Sequence, residues 1–158
     1  MRTHTLIAVV LGSWIAGAVP LVVADDTEKQ VAVQKELKKF EGTWVMVAAE
    51  RNGVKAPEDA VKTVRVIIKG DKFTIKEGDN TIEGTIVLDP SKKLRAYAAS
   101  ATQNGKKIST VGIYEFDGDT LKVCYTPEGG ERPKEFSTKG GTDEHPIMLG
   151  VYKREKAK

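Results

Sequence analysis

From residue 70 to residue 119, turn-forming residues recur about every ten positions, a rhythm that suits short strands and leaves no room for long helices. Gly70-Asp71, Asp79-Asn80, Asp89-Pro90, Asn104-Gly105 and Asp117-Gly118-Asp119 supply the punctuation. Connections this short join only antiparallel neighbours, because a parallel pair needs a long crossover. Asn104-Gly105 is the strongest of these signals. A two-residue hairpin loop needs positive φ at both central positions, which Asn and Gly adopt most readily.

The intervening segments 64–69, 73–76, 82–88, 94–100, 108–116 and 120–125 read as strands, with 43–51 before them and 147–153 after. In 82–88, Ile82, Gly84, Ile86 and Leu88 fall on one face. Residues 135–137 read as a further short strand. The fold class is therefore mainly β: an antiparallel barrel of eight to nine strands, whose closure removes exposed edges. A β-sandwich is the alternative. Residues 26–40 read as a helix with an apolar stripe of Val33, Leu37 and Phe40. Thr27 and Gln30 have capping-box spacing, and Gly42 ends the helix. Residues 57–62 read as a short helix with Pro57 near its first position, either a lid or a plain connection. The organisation is a signal peptide over 1–24, an N-terminal helix over 25–41, a barrel domain over 42–154 and a tail over 155–158.

The signal-peptide reading rests on Arg2, the apolar run 6–19, Pro20 and the Val22-Val23-Ala24 cleavage pattern, followed at once by Asp25 and Asp26. It predicts an exported protein, periplasmic or extracellular, with no stable membrane span after cleavage. The charge is mixed: 25 basic residues stand against 22 acidic ones, interleaved along the chain. No basic stripe suits a nucleic acid. Cys124 is the only cysteine, so no intramolecular disulfide forms and the core must carry the stability.

Gly42-Thr43-Trp44, between helix and first strand, resembles the Gly-x-Trp opening of the lipocalins. That resemblance implies a tryptophan at the closed end of an eight-stranded cup, with a basic residue from the last strand across it. Lys153 or Arg154 would take that part through a cation–π contact. A second resemblance covers nearly all of residues 25–158. It is to uncharacterised exported domains known chiefly from planctomycete bacteria. It is carried by Gly42-Thr43-Trp44, residues 68–73, Glu83-Gly84-Thr85, residues 88–93, Gly112-Ile113-Tyr114-Glu115, residues 118–124 and residues 132–136. It implies the same lipocalin-like fold and export, and no activity.

No catalytic constellation emerges. His145 is the only histidine beyond residue 24, in the polar loop Thr142-Asp143-Glu144-His145-Pro146, and no set of three or four converging ligands accompanies it. No metal, no cofactor and no enzyme are expected. An eight-stranded barrel is either filled by its own side chains or holds one small ligand. Inward candidates include Trp44, Met46, Val66, Ile68, Phe73, Ile86, Tyr114, Phe116, Leu121, Val123 and Tyr125. Ala48, Gly84, Ala96, Ala98, Gly112 and Gly150 share their parity. Such small residues either leave a cavity or let strands coil sharply. The leading expectation is an exported, non-enzymatic binding protein for a small apolar or amphipathic ligand, lined by Trp44, Met46, Phe73, Tyr114, Phe116 and Tyr125. The alternative is an envelope protein-interaction module with a filled barrel, acting through loops 128–133 and 139–146.

Overall fold

The computed structural model describes residues 23–127 and 129–156. Most of the segment read as a signal peptide, Glu128 and the last two residues of the tail lie outside them. The chain forms helix α1 (Val23–Phe40), strands β1 (Gly42–Arg51) and β2 (Val54–Lys55), and helix α2 (Glu58–Val61). Then come β3 (Val64–Lys69), β4 (Lys72–Glu77), β5 (Asn80–Asp89), β6 (Ala96–Gln103), β7 (Lys106–Asp117), β8 (Thr120–Pro127) and β9 (Met148–Arg154). The strands make one antiparallel sheet in the order β2-β1-β3-β4-β5-β6-β7-β8-β9, and β1 also pairs with β9. That pairing runs from Trp44 opposite Arg154 to Arg51 opposite Met148 and closes the barrel. The architecture is that of a lipocalin-like barrel, with β2 as an extra strand outside the ring.

Local chemistry explains the hairpins. Asn104 and Gly105 have φ of 50° and 75°, the left-handed pair that a tight two-residue loop demands. The added strand is β2, made by a second such loop at Asn52-Gly53. The segment 135–137, expected as a strand, is irregular. It belongs to the loop 129–147, which lies on the outside of the barrel and is held there by side chains. Arg132 Nε donates to Gly112 O at 3.2 Å. Cys124 Sγ approaches Ser137 O at 3.7 Å. The Lys122 ammonium stands 4.9 Å from the centre of the Phe136 ring. Thr138 Oγ1 accepts from Gly53 N at 2.8 Å and donates to the Glu50 carboxylate. Outward-facing Cys124 is fully buried for this reason.

Helix α1 starts three residues earlier than its sequence pattern suggests, with Asp25 and Asp26 in the first turn. There their charges oppose the positive end of the helix dipole. Thr27 thus lies inside the helix and not at its cap. Leu37 and Phe40 are buried as the stripe predicts, and Val33 packs beside them. Glu36 is buried too. Its side chain is 6 % exposed, 2.8 Å from Lys39 Nζ and 3.3 Å from Arg95 Nη1. Two cations around one carboxylate offset the cost of taking it out of water, and the pair with Arg95 ties α1 to the entrance of β6.

A bulge at Val47 resets the face of β1. Met46 pairs with Tyr152, but Ala48 pairs with Val151. Beyond the bulge, Ala49 and Arg51 stand opposite Gly150 and Met148, and Ala48 turns outward, contrary to expectation. On β6 the inward residues are Tyr97, Ala99 and Ala101, so Ala96 and Ala98 are also corrected to the outer face. Register decides this: Leu88 and Ile86, both inward, stand opposite Tyr97 and Ala99.

Candidate ligand cavity

Aromatic packing closes the end of the barrel nearest α1. The ring of Phe40 lies 4.8 Å from that of Tyr114 and 4.9 Å from that of Phe116, both edge-on. Trp44 is fully buried, 5.9 Å from Phe116, and its indole N–H donates to Phe40 O at 2.7 Å. Arg154 covers the indole from outside, its guanidinium carbon 4.2 Å from the ring centre. The same guanidinium donates to Lys39 O at 2.7 Å and to Glu41 O. It thereby caps carbonyls at the C-terminal end of α1. Lys153 is exposed and pairs with Val45, so strand alternation excludes it from the indole. Gly42 sits at φ 124°, where other residues are strained, and a Cβ there would stand 2.9 Å from Arg154 Nη1, so the guanidinium would have to shift.

Above this floor the barrel is hollow. A cavity of about 400 Å³ reaches from Phe40 and Trp44 up to Ile82, Ile108, Pro127 and Met148. The strands β3, β4 and β5 contribute only hydrocarbon: Val66, Ile68, Phe73, Ile75, Ile82 and Ile86. Every side-chain hydroxyl on the lining comes from the other wall, from Tyr97, Ser109, Thr110, Tyr125 and Tyr152. No charged side chain lines the cavity among the described residues.

Glycines shape the polar wall. Gly112 pairs with Tyr97 on one side and Tyr125 on the other. The Tyr97 ring lies flat over it, Cε1 being 2.5 Å from where a Cβ would stand. Tyr152 folds over Gly150 in the same way, with Cε2 at 2.8 Å. Small residues do two things here. One, the seating of rings, is neither of the roles expected for them, and the residues that leave space are not the alanines expected. Gly112 and Gly150 seat aromatic rings, while Ala99 and Ala101 leave space. Burial pushes the hydroxyls of Tyr97, Tyr125 and Tyr152 above the ordinary tyrosine range. Charge on Tyr125 would raise the other two further. All three are neutral near pH 7, able to donate and to accept.

Of the six residues expected to line a site, Trp44, Phe73 and Tyr125 do so. Tyr114 and Phe116 lie lower, stacked in the floor around Phe40. Met46 faces a second, more open hollow beside the β1–β2 hairpin, which shares Tyr125 and Met148 with the main cavity. Tyr97 and Tyr152 escaped the sequence reading. The signal for Tyr97 was its size: a β6 parity started from the largest residue would have put it inside. His145 is exposed in its loop, and burial raises the Cys124 thiol, which makes it a poor nucleophile. Among the described residues no three His, Cys, Asp or Glu side chains come together as a metal site. No family model, no curated protein and no solved structure matches the chain.

Proposed function

We propose that this barrel is a non-enzymatic carrier for one small, predominantly apolar molecule. The observation that carries the reading is the cavity itself. Its volume of about 400 Å³ falls in the range of small-molecule sites, and its lining is mostly hydrocarbon. An eight-stranded barrel whose only task was to display loops would gain stability by filling that space. Part of the outer loop is fastened to the barrel wall through Arg132, Ser137 and Thr138, while most of residues 139–145 stay exposed. Residues 1–24 have the pattern of an export signal, so the carrier would work in the cell envelope or outside the cell, as the resemblance to exported domains also implies.

Native mass spectrometry on the protein, purified gently from its own source, tests this. A bound small molecule that denaturation releases is the expected result. A bare mass, together with failure to take up any member of a lipophile panel, would refute the carrier reading and turn the search to protein partners. The N-terminal residue of the same preparation tests export: Asp25 is expected, and an intact Met1 would contradict cleavage.

A further inference from the structure

We infer that the cargo is a neutral molecule bearing a hydroxyl or carbonyl group, and that Tyr97, Tyr125 and Tyr152 hold its oxygen on one wall of the barrel. The inference rests on the carrier reading and narrows it to a ligand class. Three observations support it independently of one another.

The first is the absence of charge. No acidic or basic side chain lines the cavity among the described residues. A carboxylate or ammonium placed there would lose its water and find no counter-charge, which strongly disfavours binding. The second is the state of the three phenols. The residues Tyr97 and Tyr152 are buried and Tyr125 half-buried. Yet their hydroxyls are not among the fully buried polar atoms without a hydrogen-bond partner, which among the described residues are Glu36 Oε1 and Tyr114 Oη. The three tyrosines line the hollow, so their hydroxyls can bond to whatever occupies it, water or a ligand. Three such groups on one wall offer an oxygen-bearing ligand donors and acceptors that phenylalanine would not. The third is their placement. Gly112 and Gly150 give up their own side chains so that two of the rings lie down along the wall. The opposite wall is hydrocarbon throughout. A ligand with oxygen on one side and hydrocarbon on the other matches both.

Displacement of the neutral fluorophore N-phenylnaphthylamine from the full-length chain tests the assignment. Decanol, decane and ionised decanoate serve as competitors. Ala101→Trp, which fills the cavity, identifies the part of the signal that comes from inside the barrel. Decanol should displace the probe at a concentration about tenfold below that of decanoate. The double variant Tyr97→Phe with Tyr152→Phe should bind decane as before and lose most of the preference for decanol. Both rings are retained, and a thermal melt confirms that the variant is folded. Decanoate competing as well as decanol, or a double variant with unchanged decanol affinity, would overturn the inference and leave the carrier reading intact. Probe and competitors all failing to bind in an Ala101→Trp-sensitive manner would overturn both.

Discussion

Arg154→Ala is the sharpest test of how the floor of the barrel is built. The guanidinium makes three kinds of contact. It covers the Trp44 indole at 4.2 Å, with about 30 % of its side chain exposed, so the cation–π contact is worth about 0.5–1 kcal/mol. It donates to Lys39 O and Glu41 O. Those carbonyls sit at an exposed helix end, where water can replace the lost donor, so each bond is worth about 1 kcal/mol. The ion pair with Asp119, 3.5 Å away with the carboxylate largely exposed, adds little. The sum is about 3 kcal/mol. With a urea m-value of about 2 kcal/mol per molar, the midpoint should fall by about 1.5 M. Arg154→Lys keeps the charge but cannot reach both carbonyls from one point, and should lose about half as much. Urea unfolding followed by far-UV circular dichroism measures both variants. A midpoint for Arg154→Ala within about 0.3 M of the parent, a shift worth well under 1 kcal/mol, would show that Arg154 decorates the floor without holding α1 to it.

Three further expectations follow from packing and titration. The 4 tyrosines of the chain are residues 97, 114, 125 and 152, and burial raises all of them. Above pH 10 the unfolded chain would release protons that the native barrel retains. Stability should therefore be intact below that pH and fall as pH rises, by up to about 1.4 kcal/mol per pH unit for each tyrosine. In the folded protein phenolate absorbance should appear at higher pH than in the urea-unfolded chain, and coincident titration of the two would contradict the burial. Gly112→Ala would drive a methyl group into the Tyr97 ring, at a cost of about 1–3 kcal/mol by urea unfolding; no change would mean that the ring moves freely aside. Thr138→Val removes the acceptor of Gly53 N and the donor to Glu50, and should cost about 1–3 kcal/mol. It should also hasten protease cleavage within residues 129–147, and equal cleavage rates would deny Thr138 its fastening role.

The parts of this fold that were legible in the sequence are those set by neighbours along the chain. Asn104-Gly105 writes its own hairpin, and Val33, Leu37 and Phe40 mark the buried face of their helix. Trp44, Phe73 and Tyr125 were placed at the site because strand alternation held locally. What was hidden depends on pairing across the barrel. The bulge at Val47 is visible only once β1 meets β9, and it moves Ala48 to the outside. The orientation of Tyr97 follows from its pairing with Leu88 and Gly112. The choice between Lys153 and Arg154 needed the register of β9 against Trp44. The loop over Cys124 left no sequence signal, since Arg132, Ser137 and Thr138 look like ordinary loop residues until the wall they grip is in place.

The seams of the barrel are unequal. Strand β7 is joined to β8 from Thr110 to Asp117, but β1 is joined to β3 only from Gly42 to Val45. Above that point β1 turns away to pair with β2, and α2 fills the gap. Opening free energies within one fold follow the extent of such pairing. Amide hydrogens along the β1–β3 seam should therefore exchange with solvent sooner than those of β7 and β8. The stretch of wall beside α2 is thus the least tightly sewn part of the ring, and it lies next to the hollow that opens on Tyr125 and Met148.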